Sequence, residues 1–133
     1  MKPVRLLLDT HALIWWFAGD ARLSPAARVA VEDPAHPKLV SAASAWEIAT
    51  KHRLGRLPEV DGTGLMRDLS GAIASAGFEP LPIMLADAQA AGRLPEPCRD
   101  PFDRMLIAQA LERDLALVSI EAPFDAYGVT RVW

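Results

Sequence analysis

Apolar residues recur along this chain in two patterns. Short runs such as Val4-Arg5-Leu6-Leu7-Leu8, which stops at Asp9, and Leu115 to Ser119, which leads into Ile120-Glu121, end at polar residues. They are too short for helices and contain no glycine, so they read as strands buried on both faces, as in a parallel sheet. Lys38 to Ser41 is a third short strand. Phe78 to Ile83 holds Pro80 and Pro82 and can only be an edge or irregular strand. Val129 to Trp133 is predicted as a last edge strand. Between these lie stretches of helical character. They are His11 to Ala18 ending at Gly19, Pro25 to about Asp33 behind an N-cap at Ser24, and Ser44 to about Leu54 closed by Gly55. Further on come Leu65 to Ala76 ended by Gly77, Leu85 to Ala91, and Asp100-Pro101 to about Arg113. Residues 58–64 and Gly92 to Arg99 are loops. Strands alternating with helices predict an α/β chain, with one parallel sheet and helices on both of its faces.

At 133 residues, without repeats or low-complexity tracts, the chain reads as a single domain over 1–133. A hydrophobic fraction of 51% and a mean hydropathy of +0.13 suggest apolar surface covered by a partner, most simply in a dimer. The single cysteine, Cys98, excludes an internal disulfide and a cysteine-rich metal site, and suits a reducing compartment. Asp9 and His11 interrupt any signal-peptide core, and Ala12 to Ala18 is too short to cross a bilayer. The expectation is a cytoplasmic protein with no membrane segment. A net charge of −3 argues against nucleic-acid binding by global positive charge. With four of the 17 acidic residues neutralised by metal, however, the 14 Lys and Arg residues outnumber the rest by one. The acidity is therefore compatible with a polyanionic substrate.

The chemistry concentrates in carboxylates. Asp9 ends the first strand, where a charge is expensive unless paired or bound, and where ligands collect in open α/β sheets. It could equally cap the following helix. Glu47, three residues after Ser44, fits a capping box, yet Trp46 and Ile48 flank it and carry it into packed surroundings. Asp100-Pro101-Phe102-Asp103 matches an N-cap, a proline at the first helical position and an acid in the first turn. A cap at Asp100 leaves Asp103 free to project. Glu121 follows the fourth strand much as Asp9 follows the first, and Ser119 could orient a carboxylate or a water. Ionised carboxylates converging without histidine or cysteine need a cation. Oxygen-only ligation selects Mg²⁺ or Mn²⁺, and phosphodiester hydrolysis is the reaction such a site serves best. Lys51, Arg53, Arg56, Arg99 and Arg104 could line a path for a nucleic-acid backbone. A phosphatase with Asp9 as covalent nucleophile normally wants a second acid two residues on, where this chain has His11.

Three segments carry a resemblance: Leu6-Leu7-Leu8-Asp9-Thr10-His11, Ser44-Ala45-Trp46-Glu47-Ile48-Ala49, and Arg99-Asp100-Pro101-Phe102-Asp103-Arg104-Met105-Leu106-Ile107-Ala108-Gln109-Ala110. Together they resemble PIN-domain proteins, especially the VapC-like toxins of bacterial toxin–antitoxin pairs, over the whole chain. The resemblance implies a three-layer α/β/α sandwich around a parallel sheet of four to five strands. It implies a Mg²⁺- or Mn²⁺-dependent endoribonuclease acting on RNA, usually a homodimer, inhibited by a cognate antitoxin whose C-terminal segment enters the active-site groove. The family's acids fall on Asp9, Glu47, Asp103 and Glu121, with Asp100 matching a further frequent acid. Glu121 is a departure, since the family pattern there reads Thr or Ser, any residue, Asp, against Ser119-Ile120-Glu121 here; the extra methylene makes water-mediated contact plausible. The competing reading is a catalytically silent PIN module that binds RNA or a protein.

Overall fold

A computed structural model describes residues 4–133. Its five strands are β1 (Leu6–Leu8), β2 (Lys38–Ser41), β3 (Glu79–Leu81), β4 (Ala116–Val118) and β5 (Thr130–Val132). They lie in the order β3-β2-β1-β4-β5, every neighbouring pair parallel. The most apolar strand takes the middle: Leu6, Leu7 and Leu8 are almost wholly buried. The period of two along a strand sends Leu6 and Leu8 to one face and Leu7 to the other. Helices α1 (Thr10–Ala18), α2 (Pro25–Glu32) and α4 (Leu69–Ser75) pack with Leu6, Leu8, Val40 and Val118. Leu7, Leu39 and Leu117 face α6 (Pro101–Arg113), which α5 (Leu85–Arg93) flanks. These two cores on opposite sides of one sheet make the expected three-layer sandwich.

The chain leaves β1 toward β2 and β3, then crosses back to add β4 and β5 on the other side. The reversal makes β1 and β4 a topological switch point, and in open sheets the crevice beyond the carboxyl ends of such strands is the usual place for a ligand. Asp9 and Ser119 are the residues that leave those two strands. The Asp9 N–H donates to the Val118 carbonyl at 3.0 Å, so the two strand ends are tied together.

Several boundaries differ from those the sequence suggests. Helix α3 (Ala42–Arg53) begins directly at the end of β2, with Ser41 as its N-cap accepting from the Ala43 N–H at 3.0 Å. Ser44 and Glu47 therefore lie inside the helix and form no capping box. The helix expected from Leu65 starts at Leu69, because Asp68 caps it by accepting from the Gly71 N–H at 3.1 Å. Gly62 and Gly64, at φ of 80° and 81°, turn the preceding segment, and a left-handed backbone there is open mainly to glycine. Leu65 fills the core from that turn. Residues Ala122–Tyr127 form a 3-10 helix where the sequence offered no pattern. Pro80 is tolerated because β3 is an edge strand.

Candidate active site

Asp9 caps α1, its Oδ1 accepting from the Ala12 N–H at 2.8 Å, and is 5% exposed. Capping engages one oxygen of this carboxyl, at the point where the chain leaves β1. Burial pushes this carboxyl up to about 6; the Ser119 hydroxyl, the Ala12 N–H and nearby His11 oppose the rise, and Glu121 adds to it.

Glu47 sits in the second turn of α3, 3% exposed. Thr10 Oγ1 donates to its Oε1 at 2.6 Å and lies 3.1 Å from Ser44 Oγ, which is fully buried. Lys51 Nζ, one turn along α3, pairs with Oε2. Both carboxylate oxygens are engaged, which is how a charge survives at this depth. The flanking Trp46 is largely exposed rather than packed inside, and meets Phe102 edge-on with ring centroids 4.9 Å apart.

Asp100 is the N-cap of α6, its Oδ1 accepting from the Asp103 N–H at 3.0 Å, with Pro101 at the first helical position. Asp103 projects from that turn. Its carboxyl is pushed up to about 7, first by burial and then by the negative charges of Asp100, Glu47, Asp9 and Glu121. All four other predicted acids are thus within electrostatic reach of Asp103. Glu121 is exposed, just ahead of the 3-10 helix, its N–H donating at 3.0 Å to the oxygen of fully buried Ser119. Ser119 therefore steadies the Asp9 carboxyl and the turn that carries Glu121.

Five acids on four different segments, repelling one another, form a donor set that the single ammonium of Lys51 does not neutralise. The oxygen-only chemistry suits Mg²⁺ or Mn²⁺. Among the described residues, no three His, Cys, Asp or Glu side chains are drawn together tightly enough to cage an ion by themselves. Such a set fits an ion that retains several waters, as Mg²⁺ does.

The proposed basic path is mostly not brought together. Arg104 is a structural residue, its guanidinium donating to the carbonyls of Ala91 at 3.1 Å and Cys98 at 2.6 Å, and also to Leu94. Arg99 is exposed and lies 3.9 Å from Glu96, and Arg53 and Arg56 are exposed on and beyond the end of α3. Lys51 alone of the group lies among the acids. Thr10, Ser44 and the special place of Lys51 were not legible as site features, although Ser44, Glu47 and Lys51 recur at helical spacing and so share one face. Beside the acids, α3, α5 and α6 enclose an apolar groove of about 230 Å³ lined by Trp46, Ile83, Ala91, Phe102 and Met105.

With this fold and this acid cluster in view, the comparisons with known proteins are consistent. The PIN domain model matches residues 6–128, and the chain belongs to the PIN domain family. Among individual relatives, Ribonuclease VapC22 of Mycobacterium tuberculosis (strain ATCC 25618 / H37Rv) is 32% identical over 116 residues, 86% of this chain and 85% of the relative. The crystal structure of Mycobacterium tuberculosis VapC20, described as a Sarcin-Ricin loop cleaving toxin, matches with a TM-score of 0.64. It covers 94% of this chain and 96% of its own at 17% identity, a likeness of fold. The family resemblance and the sandwich expected from three short segments are both borne out. Among the described residues no helix is long and apolar enough to cross a membrane.

Proposed function

We infer that the chain is an endoribonuclease, the toxin of a toxin–antitoxin pair, which hydrolyses RNA phosphodiester bonds at a Mg²⁺ or Mn²⁺ site in the crevice. What supports this reading is Asp103, pushed up by burial and by the charges of Asp100, Glu47, Asp9 and Glu121, together with Glu47 tied to Thr10 beside Asp9. Asp9, Glu47 and Asp103 would hold the ion. Asp100 positions Asp103 through the helix cap, and exposed Glu121, longer by a methylene than the family's aspartate, reaches it through water. A bound divalent ion supplies charge neutralisation at the phosphate and a more acidic water.

The chain's own groups do the orienting. The Ala12 N–H and Ser119 fix Asp9, Thr10 fixes Glu47, and the Asp100 cap fixes the turn bearing Asp103. Outer partners of this kind set the direction of metal-binding carboxylates. Cognate antitoxin and a second copy of the chain are the proposed protein partners, in the cytoplasm. Exposed Trp46, Met84 and Leu85, around the groove beside the acids, give such partners apolar surface.

The test is cleavage of RNA by purified protein with Mg²⁺ or Mn²⁺, with chelator, and with Asp9→Asn. Cleavage that requires the ion and falls by at least about 100-fold in the variant is expected, the scale for removing a principal charge-stabilising group. Undiminished cleavage in Asp9→Asn would sink the site assignment. Absence of both cleavage and metal binding would turn the reading toward a silent binding module.

A further inference from the structure

Lys51 is placed unlike any other cation among the described residues. Its ammonium pairs with Oε2 of Glu47, whose side chain is 4% exposed, while the lysine side chain itself remains 30% exposed. Asp100 and Asp103, arriving from α6, are close enough to favour its charge as well. One positive group thus answers to three acids from two helices, at the boundary between the buried cluster and the open crevice. A Glu and Lys four apart on a helix ordinarily form a solvated surface pair worth little. Here the acid is buried, and its other oxygen is already satisfied by Thr10. The ammonium therefore occupies the carboxylate oxygen that Thr10 leaves free, Oε2.

A divalent ion bound at Oε2 competes with the ammonium there, and its charge repels an ammonium at close range. The flexible four-carbon stem of lysine and its access to the crevice let the ammonium leave without moving the helix. Thr10 keeps Glu47 in place when it does. We propose that Lys51 is the resident cation of the acid cluster, holding Glu47 until a divalent ion displaces it. The inference rests on the reading of the cluster as a Mg²⁺ or Mn²⁺ site. It makes metal uptake an exchange of one cation for another, with Lys51 setting how tightly the ion is held.

The test is calorimetric titration of Mn²⁺ into the metal-free full chain, comparing the wild type with Lys51→Met, Lys51→Arg and the remote surface control Arg67→Gln. Removing the competitor in Lys51→Met is expected to tighten Mn²⁺ binding about threefold to fivefold, the upper part of the span set by losing a partly exposed ion pair. Lys51→Arg and Arg67→Gln are expected to stay within about twofold of wild type, since one keeps a competing cation and the other removes a distant screened one. An independent readout uses the wild-type chain, whose only lysines are Lys2, Lys38 and Lys51. After isotopic dimethylation, the Lys51 resonance should shift on saturation with Mg²⁺ while that of Lys38 stays. Unchanged or weaker Mn²⁺ binding in Lys51→Met, or a Lys51 resonance indifferent to Mg²⁺, overturns the exchange while leaving the metal site standing. Failure of every variant and of the wild type to bind either ion overturns the site and the exchange together.

Discussion

Two carboxyls in one crevice titrate where most carboxyls do not. Asp9 is held up to about 6 chiefly by burial, and Asp103 to about 7 by burial together with the charges of Asp100, Glu47, Asp9 and Glu121. A carboxyl raised in the folded chain binds its proton more tightly there than in the unfolded chain. Its stabilising contribution is complete below the ordinary carboxylate value and is lost as pH rises through about 6 and about 7. The metal-free chain is therefore expected to lose the stability these two groups contribute between about pH 4 and about pH 7, and Asp103→Asn to flatten that slope. Thermal denaturation in chelator checks this. A wild-type slope that Asp103→Asn leaves unaltered would contradict the assignment of strain to this cluster. The raised values also mean that metal uptake releases protons, so apparent affinity should climb across the same interval.

At the level of elements, the corner that carries Asp100 and Asp103 is fastened by a side chain that makes no contact with the acids. Arg104 ties α6 to the end of α5 and the loop after it, through carbonyls of Ala91, Gly92, Leu94 and Cys98. Tyr127 grips the same loop from the C-terminal side, its hydroxyl accepting from the Cys98 N–H at 2.9 Å and donating to the Pro95 carbonyl at 2.7 Å. Charged hydrogen bonds of this kind are the stronger ones, and losing several leaves carbonyls unpaired. Arg104→Ala is expected to cost about 3 kcal/mol, readable by urea denaturation, with proteolytic nicking appearing within residues 92–99. Arg104→Lys would recover little of that loss, because a single ammonium cannot span the fork of carbonyls that a planar guanidinium meets. A variant of unchanged stability but weakened RNA binding would restore Arg104 to the substrate path suggested by its sequence position.

For the whole molecule, the two cores account for most of the apolar composition, yet a set of large side chains stays outside them. Leu85 is 92% exposed, and Met84, Trp46, Val29 and Leu54 are also open to solvent. Met84 and Leu85 begin α5, and the groove lined by Trp46 and Phe102 lies alongside that helix. The proposed pairing of two copies is expected to cover this side. Leu85→Glu, at a position that touches little within one chain, should leave the thermal stability of the monomer intact and shift sedimentation toward monomer. A wild-type chain that sediments as a monomer at high concentration would remove the pairing and leave the patch to another protein.

Sequence alone determined the elements that rest on local chemistry. Leu6 to Leu8 had to be a buried strand, Ser24-Pro25 and Asp100-Pro101 had to open helices, and Pro80 had to sit at a sheet edge. Each follows from side-chain volume, capping geometry or a missing N–H. The three acid-bearing segments were legible as a family pattern, and in the fold the charges of Asp9, Glu47, Asp100 and Glu121 all act on Asp103. What sequence could not decide is anything that depends on neighbours distant along the chain. Glu47 looked like a helix cap because Ser44 precedes it by three residues; only the direct passage of β2 into α3 at Ser41 moves it into the helix, where Thr10 of a different helix claims it. Arg104 looked like a free cation beside an acid until folding brought the carbonyls of the 92–99 loop to it. Lys51 looked like one charge among five until α6 delivered Asp100 and Asp103 to its side. Local propensity acts over a few residues, whereas the fate of a charge is fixed by whatever else is buried with it, and that is set only when the sheet order closes.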